Sequence, residues 1–132
     1  MADKNIDVLL VDDETGFLDV LQKRLGKRGL TVTPAASGTE AIQVLRRNDF
    51  DVAVLDLKLG DMDGIEILQI FKKMVPDLPV IMLTGHGSEQ AAREGMQFGA
   101  FDYLLKPCDL EELLNKIREA VADARQDETK TE

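Results

Sequence analysis

Five short apolar runs rich in branched residues, each followed by a segment of helical periodicity, alternate along this chain. That alternation restricts the fold more than any other feature. A run that is apolar at every position must be covered on both faces, and parallel strands need a crossover of a dozen or more residues, usually a helix. The runs are Ile6–Val11, the weaker Thr31–Ala35, Asp51–Leu55, Pro79–Leu83 and Phe101–Leu104. Between the first two, Phe17, Leu18, Leu21 and Leu25 recur at helical spacing among Lys23, Arg24 and Lys27, and Gly29 follows as a stop. Further helices are predicted from about Gly38 to Arg47, from the turn-rich Gly60–Gly64 stretch to about Met74, near Glu89–Gln97, and from about Leu110 to Ala124. Ser37 with Glu40, Asp63 with Glu66 and Asp109 with Glu112 have capping-box spacing at three of the helix starts.

The pattern predicts a (βα)5 α/β fold, a doubly wound five-stranded parallel sheet in the flavodoxin-like order 2-1-3-4-5. Residues 1–122 are expected to form the domain. Residues 123–132, polar and without apolar periodicity, are expected to be a polar tail or the start of a linker.

A length of 132 residues, 44% hydrophobic and 31% charged, suits one soluble domain. The formal net charge of −9 would repel a polyanion, so direct binding to nucleic acid or to an anionic membrane has little electrostatic support. Proteins and cations are the expected partners. The single cysteine, Cys108, cannot form an internal disulfide, and no apolar run of signal-peptide length follows Met1. A cytoplasmic location is expected.

Open parallel sheets bind ligands beyond the carboxyl ends of their strands. Here those ends offer Asp12 and Asp13 after the first run, Asp56 after the third, Thr84 after the fourth and Lys106 after the fifth. The second offers only Ala35 and Ala36, which suits an edge strand away from the site. Converging carboxylates cannot all remain ionised without compensation, and a hard divalent cation such as Mg2+ or Mn2+ supplies it through oxygen ligands. Lys106 adds a second positive charge. A cation and an ammonium beside a free carboxylate describe a site for phosphoryl transfer, with Asp56, alone at its strand end, as the nucleophile. Taken singly, each residue has a plainer reading. An acidic pair often just favours a helix start, Lys106 alone reads as a surface lysine, and Tyr103 reads equally as strand packing. His86 and Cys108 have no metal-ligand partners at recognisable spacing.

The segments Val8–Glu14 (VLLVDDE), Val54–Leu57 with Met62-Asp63-Gly64, Ile81–Gly85 (IMLTG) and Gly99–Pro107 (GAFDYLLKP) resemble the signature blocks of receiver domains of two-component response regulators. The resemblance covers roughly residues 6–122. It implies that Asp12, Asp13, Asp56 and the backbone carbonyl of Lys58 hold the metal, and that Asp56 accepts phosphate from a sensor histidine kinase or a phosphotransfer protein. It further implies that Thr84 and Lys106 bind the phosphoryl group and that the Lys106–Pro107 peptide is cis, a form cheap only before proline. Thr84 and Tyr103 are the implied switch residues, altering a face built from the fourth helix, fifth strand and fifth helix. That face would signal to a downstream effector or a separate output domain, or support a phosphorylation-dependent homodimer.

Two departures stand out. Gly60 occupies a position where many receivers have proline, which loosens the loop after Asp56. Lys58 places a flexible cation two residues beyond the acceptor. Gly85, Gly87, Gly95 and Gly99 around the fourth helix predict that it is the least stable helix, since an interior glycine costs about 1 kcal/mol relative to alanine. The alternative is a degenerate receiver that acts as an unphosphorylated protein-interaction module. A dinucleotide-binding or flavin-binding protein would need glycines, not Asp12-Asp13-Glu14, after the first strand. A hydrolase working through an aspartyl-phosphate would need an aspartate where Lys58 stands.

Overall fold

The computed structural model describes residues 6–85 and 87–131, with side chains as far as residue 126. The chain runs β1 (Asp7–Val11), α1 (Thr15–Lys27), β2 (Thr31–Ala35), α2 (Gly38–Arg47), β3 (Val52–Asp56), α3 (Gly64–Met74), β4 (Val80–Thr84), α4 (Glu89–Gln97), β5 (Asp102–Leu105) and α5 (Leu110–Thr131). All paired strands are parallel, and the sheet order is β2-β1-β3-β4-β5, so β1 and β3 are neighbours at the point where strand order reverses. The predicted architecture and order are therefore those observed.

Alternating side chains of the central strands divide into two cores, as the two-residue period of a strand requires. Val8, Leu10, Val52, Val54, Ile81 and Leu83 face α1 and α5, meeting Leu18, Leu21, Leu25, Leu113 and Ile117. Leu9, Val11, Ala53, Leu55, Val80 and Met82 face the other way, onto Leu45, Ile65, Ile67, Leu68 and Phe71. β3 and β4 are buried at every position, which explains why their sequences show no polar alternation. Burying each such Leu or Ile contributes roughly 1.5–3 kcal/mol, so both faces of the sheet hold the helices packed on them.

The structure departs from the sequence reading in three places. First, α5 continues to Thr131, about two turns past the expected end at Ala124. Ala124, Arg125, Gln126, Glu128 and Lys130 are strong helix formers, so the extension needs no apolar stripe to be locally favourable. Arg125 also reaches Asp51 at 3.9 Å, so the first part of the extension touches the body of the domain.

Second, of the three predicted capping boxes only that of Ser37 and Glu40 forms among the described residues. Ser37 Oγ accepts from the Glu40 N–H at 3.1 Å, and Glu40 Oε1 returns to the N–H of Ala36 at 2.6 Å. Asp63 instead accepts from the Ile65 N–H at 3.1 Å, and at Asp109 the backbone carbonyl accepts from Leu113. Third, of the four glycines around α4 only Gly95 lies inside it, and it serves close packing. An added Cβ would stand 2.2 Å from Met82 Sδ on β4. Gly87 and Gly99 adopt φ of 84° and 101° outside the helix, conformations that favour glycine. His86 lies outside the described residues. Among the described residues no helix is long and apolar enough to cross a membrane.

Candidate functional site

The strand ends converge as the topology demands. β1 delivers Asp12, which is wholly buried, and Asp13, which is exposed. The Asp12 N–H still donates to the Ala35 carbonyl at 3.1 Å, so the ladder to β2 holds this residue until its side chain is aimed. Asp56 closes β3 and is 5% exposed. One carboxylate oxygen from each of Asp12, Asp13 and Asp56 lies within 4.8 Å of the others. Thr84 closes β4, one residue beyond Leu83, the register partner of Asp56. It is buried, and its hydroxyl has no hydrogen-bond partner among the described residues. An orphaned buried hydroxyl costs about 1–3 kcal/mol, so Thr84 Oγ1 is a donor open to a ligand at this strand end.

Lys106 follows β5. Its N–H donates to the Thr84 carbonyl at 2.6 Å, and the peptide to Pro107 is cis. Its ammonium donates to Asp12 Oδ2 at 2.9 Å, Glu14 Oε1 at 3.2 Å and Asp56 Oδ2 at 3.5 Å. The Phe17 ring covers it, with the nitrogen 4.6 Å from the ring centroid. Such a contact adds about 0.5–2 kcal/mol depending on desolvation.

These neighbours shift the ionisation of the site. Burial pushes the Asp56 carboxyl above the usual carboxylate range, and the charge of Asp12 adds to this. The Lys58 N–H, donating to Asp56 Oδ1 at 3.0 Å, and the Lys106 ammonium pull the other way. For Lys106 burial favours the neutral amine, but the Asp12 hydrogen bond and the charges of Asp56 and Asp12 outweigh it and hold the ammonium well above its ordinary value. Four carboxylates, the buried Asp12 and Asp56 with the exposed Asp13 and Glu14, surround one ammonium and leave surplus negative charge at the site. The donor set is all hard oxygen, so it fits a small divalent cation, with Asp12, Asp13 and Asp56 placed to hold it.

Of the residues singled out from sequence, Asp12, Asp13, Asp56 and Lys106 are brought together and Thr84 ends the adjoining strand. Lys58 stands beside them with an exposed side chain, its N–H on Asp56 and its backbone bridged to Asp63. Tyr103 is 37% exposed on the edge strand β5, in register with Met82, rather than among the buried groups. Sequence reasoning missed Glu14 and Phe17 as neighbours of Lys106. Glu14 directly follows the acidic pair, a signal that was available. Phe17 reads as ordinary helix packing, and nothing in its spacing distinguishes a ring that covers a lysine.

Residues 8–118 match the response regulator receiver domain family. The chain is 36% identical over 129 residues to the transcriptional regulatory protein ZraR of Klebsiella oxytoca, covering 98% of this chain and 29% of that protein. It is 40% identical over 121 residues to the transcriptional regulatory protein GlrR of Escherichia coli K12, covering 92% and 27%. The chain thus spans under a third of the length of these curated relatives. Among solved structures, a response regulator receiver domain protein from Clostridium thermocellum superposes with a TM-score of 0.89 at 34% identity, covering 92% of this chain and 98% of that one. A CheY-like receiver domain protein from Methanospirillum hungatei gives 0.89 at 32% identity, covering 94% and 99%. With the fold, the acidic cluster and these similarities in agreement, the chain belongs to the response regulator receiver domain family, a class of phospho-accepting signalling modules.

Proposed function

We propose that Asp56 accepts a phosphoryl group from the phosphohistidine of a sensor histidine kinase or phosphotransfer protein. A divalent cation, Mg2+ or Mn2+, would be held by Asp12, Asp13, Asp56 and the carbonyl of Lys58. The observation that carries this reading is the convergence of three carboxylates with one ammonium beside an unpartnered threonine hydroxyl. In the transfer, an Asp56 carboxylate oxygen bonds to phosphorus as the bond from phosphorus to the histidine nitrogen breaks. When bound, the cation offsets the charge of the carboxylates and of the phosphoryl oxygens. Lys106, already 3.5 Å from Asp56 Oδ2, moves from a carboxylate partner to a phosphoryl oxygen. Thr84 donates its hydroxyl to the same group, which gives that hydroxyl the partner it lacks.

The signal leaves through the face of α4, β5 and α5. Met96, Phe98, Tyr103 and Leu105 are exposed there, and Thr84 and Tyr103 act as the switch pair. A downstream effector, a separate output domain or a second copy after phosphorylation reads that face. Residues 1–122 would act as the receiver and residues 123–132 as a polar tail or the start of a linker. The net charge of −9 favours protein partners and cations over nucleic acid or membrane, in the cytoplasm.

Mass spectrometry after incubation with a small acyl phosphate tests the reading. Wild type should gain one phosphoryl group only when Mg2+ is present, and Asp56→Asn should gain none. Equal labelling of wild type and variant would sink it.

A further inference from the structure

The loop between β3 and α3 borders the acidic cluster directly. It carries Lys58, and an added Cβ at Gly60 would stand 3.5 Å from Asp13 Oδ2. The base of the loop is closed by its own chain. Lys58 and Asp63 pair in a single antiparallel bridge, and the Gly64 N–H donates to the Leu57 carbonyl at 3.2 Å. Gly64 presses so closely on Leu57 that an added Cβ would lie 2.4 Å from its Cα. The tip has no such tie of its own, and Gly60 is the residue type that restrains a backbone least.

What holds the tip is Asp61, reaching across to a different helix. Its Oδ1 accepts from the Gly38 N–H at 2.9 Å, and its Oδ2 accepts from the Thr39 N–H at 3.1 Å and the Thr39 hydroxyl at 3.0 Å. Gly38 and Thr39 are the first two residues of α2, whose third N–H is already taken by Ser37. The helix therefore owns a cap, and Asp61 adds a carboxylate to the two remaining donors at the positive end of the helix dipole. These N–H groups hold the Asp61 carboxyl below the usual range, as an anchored carboxylate should be.

We propose that Asp61 is a positioning residue for the metal site: by anchoring the loop tip to the first turn of α2, it keeps Gly60, and with it the loop that carries Lys58, against the acidic cluster. The inference rests on the function proposed above.

The test is calorimetric titration with Mg2+ of wild type, Asp61→Ala, Asp61→Asn and the double variant Gly60→Pro/Asp61→Ala, with thermal melts of each. Outer-shell supports of a metal site are worth 10–100-fold in affinity, so Asp61→Ala should weaken Mg2+ binding by about tenfold. Asp61→Asn, which keeps one acceptor oxygen, should fall between and stands in if the alanine variant does not fold. Gly60 has no left-handed φ to bar a side chain, and an added Cβ there meets Asp13 only at ordinary contact distance, so proline is the substitution chosen to fix φ at about −65° and stiffen the loop without restoring the α2 contact. The double variant should therefore recover most of the affinity while α2 stays destabilised. Unchanged affinity in Asp61→Ala and Asp61→Asn, or a loss that proline leaves uncorrected, overturns the role of Asp61 alone. Absence of Mg2+ uptake by wild type would overturn the proposed function itself.

Discussion

α2 and α4 lie on the same side of the sheet, flank α3 and have 10 and 9 residues, yet their beginnings are held very differently. At α2 the first turn is secured by Ser37 from within and by Asp61 from another loop, while Glu40 returns to the Ala36 N–H. At α4 the N-cap Ser88 makes no side-chain cap bond; among the described residues the start is ordered by the Gly87 N–H donating to Glu89 Oε1 at 3.3 Å and the Ser88 N–H donating to the Gly85 carbonyl at 3.3 Å. The last turn of α2 carries Arg46 and Arg47, whereas the last turn of α4 has no basic residue to meet its dipole. Since a cap is worth about 1 kcal/mol, local stability differs between two helices of nearly equal length on one side of the sheet. The lesson is that this domain fixes the helix next to its acidic loop and leaves loose the one beside its exposed apolar face.

Three measurements would break or sharpen that contrast. The largest effect is expected at Gly95. Alanine there gains about 1 kcal/mol of helix propensity but forces a Cβ against the fully buried Met82, and overpacking of that kind costs roughly 1–3 kcal/mol. The expected outcome in urea unfolding is a net loss of up to about 2 kcal/mol. A gain would mean that the glycine serves mobility, as the sequence alone suggested, and not contact with β4.

Next comes the pair of serines. Ser37→Ala should lower stability by about 1 kcal/mol and speed amide exchange in Gly38–Arg47, whereas Ser88→Ala should stay within about 0.5 kcal/mol. Equal losses would erase the distinction between the two helix starts.

The smallest effect concerns acid. Folding depresses the Asp61 carboxyl through the Gly38 and Thr39 N–H bonds, so the native state binds its proton less readily than the unfolded chain does. The stability it contributes is complete above the unfolded value of about 3.9 and disappears as pH falls through the lower folded value. Urea midpoints should therefore drop more steeply in wild type than in Asp61→Asn as pH is taken below about 4. Parallel curves would show that the loop-to-α2 contact is not formed by an ionised carboxylate.

Much of this was readable beforehand, for identifiable reasons. β3 and β4 have apolar side chains at nearly every position, so their burial on two faces follows from composition, and parallel pairing follows from the helices between them. Asp12, Asp13, Asp56 and Lys106 could be grouped because a parallel sheet gathers its strand ends at one edge. Other features were hidden. Asp61 caps a helix that begins 23 residues earlier, and no local pattern announces a bond of that span. Gly95 could be read as weakness because its reason for being small, the sulfur of Met82, belongs to another strand. The extension of α5 was missed because apolar periodicity detects a buried helix, and a polar helix built from favourable residues does not produce it.

The sequence by itself determined the order of elements, the burial of the strands on two faces and the edge at which the charged groups collect, because these follow from apolar patterning and chain connectivity. Only the tertiary structure decided which partners those groups take. Lys106 lies between Asp12, Glu14 and Asp56 under Phe17, and Asp61 turns away from its own loop to α2. Hydrogen bonds and ion pairs act over about 3 Å, a distance set by packing between elements far apart in the chain, on which local residue patterns carry no information.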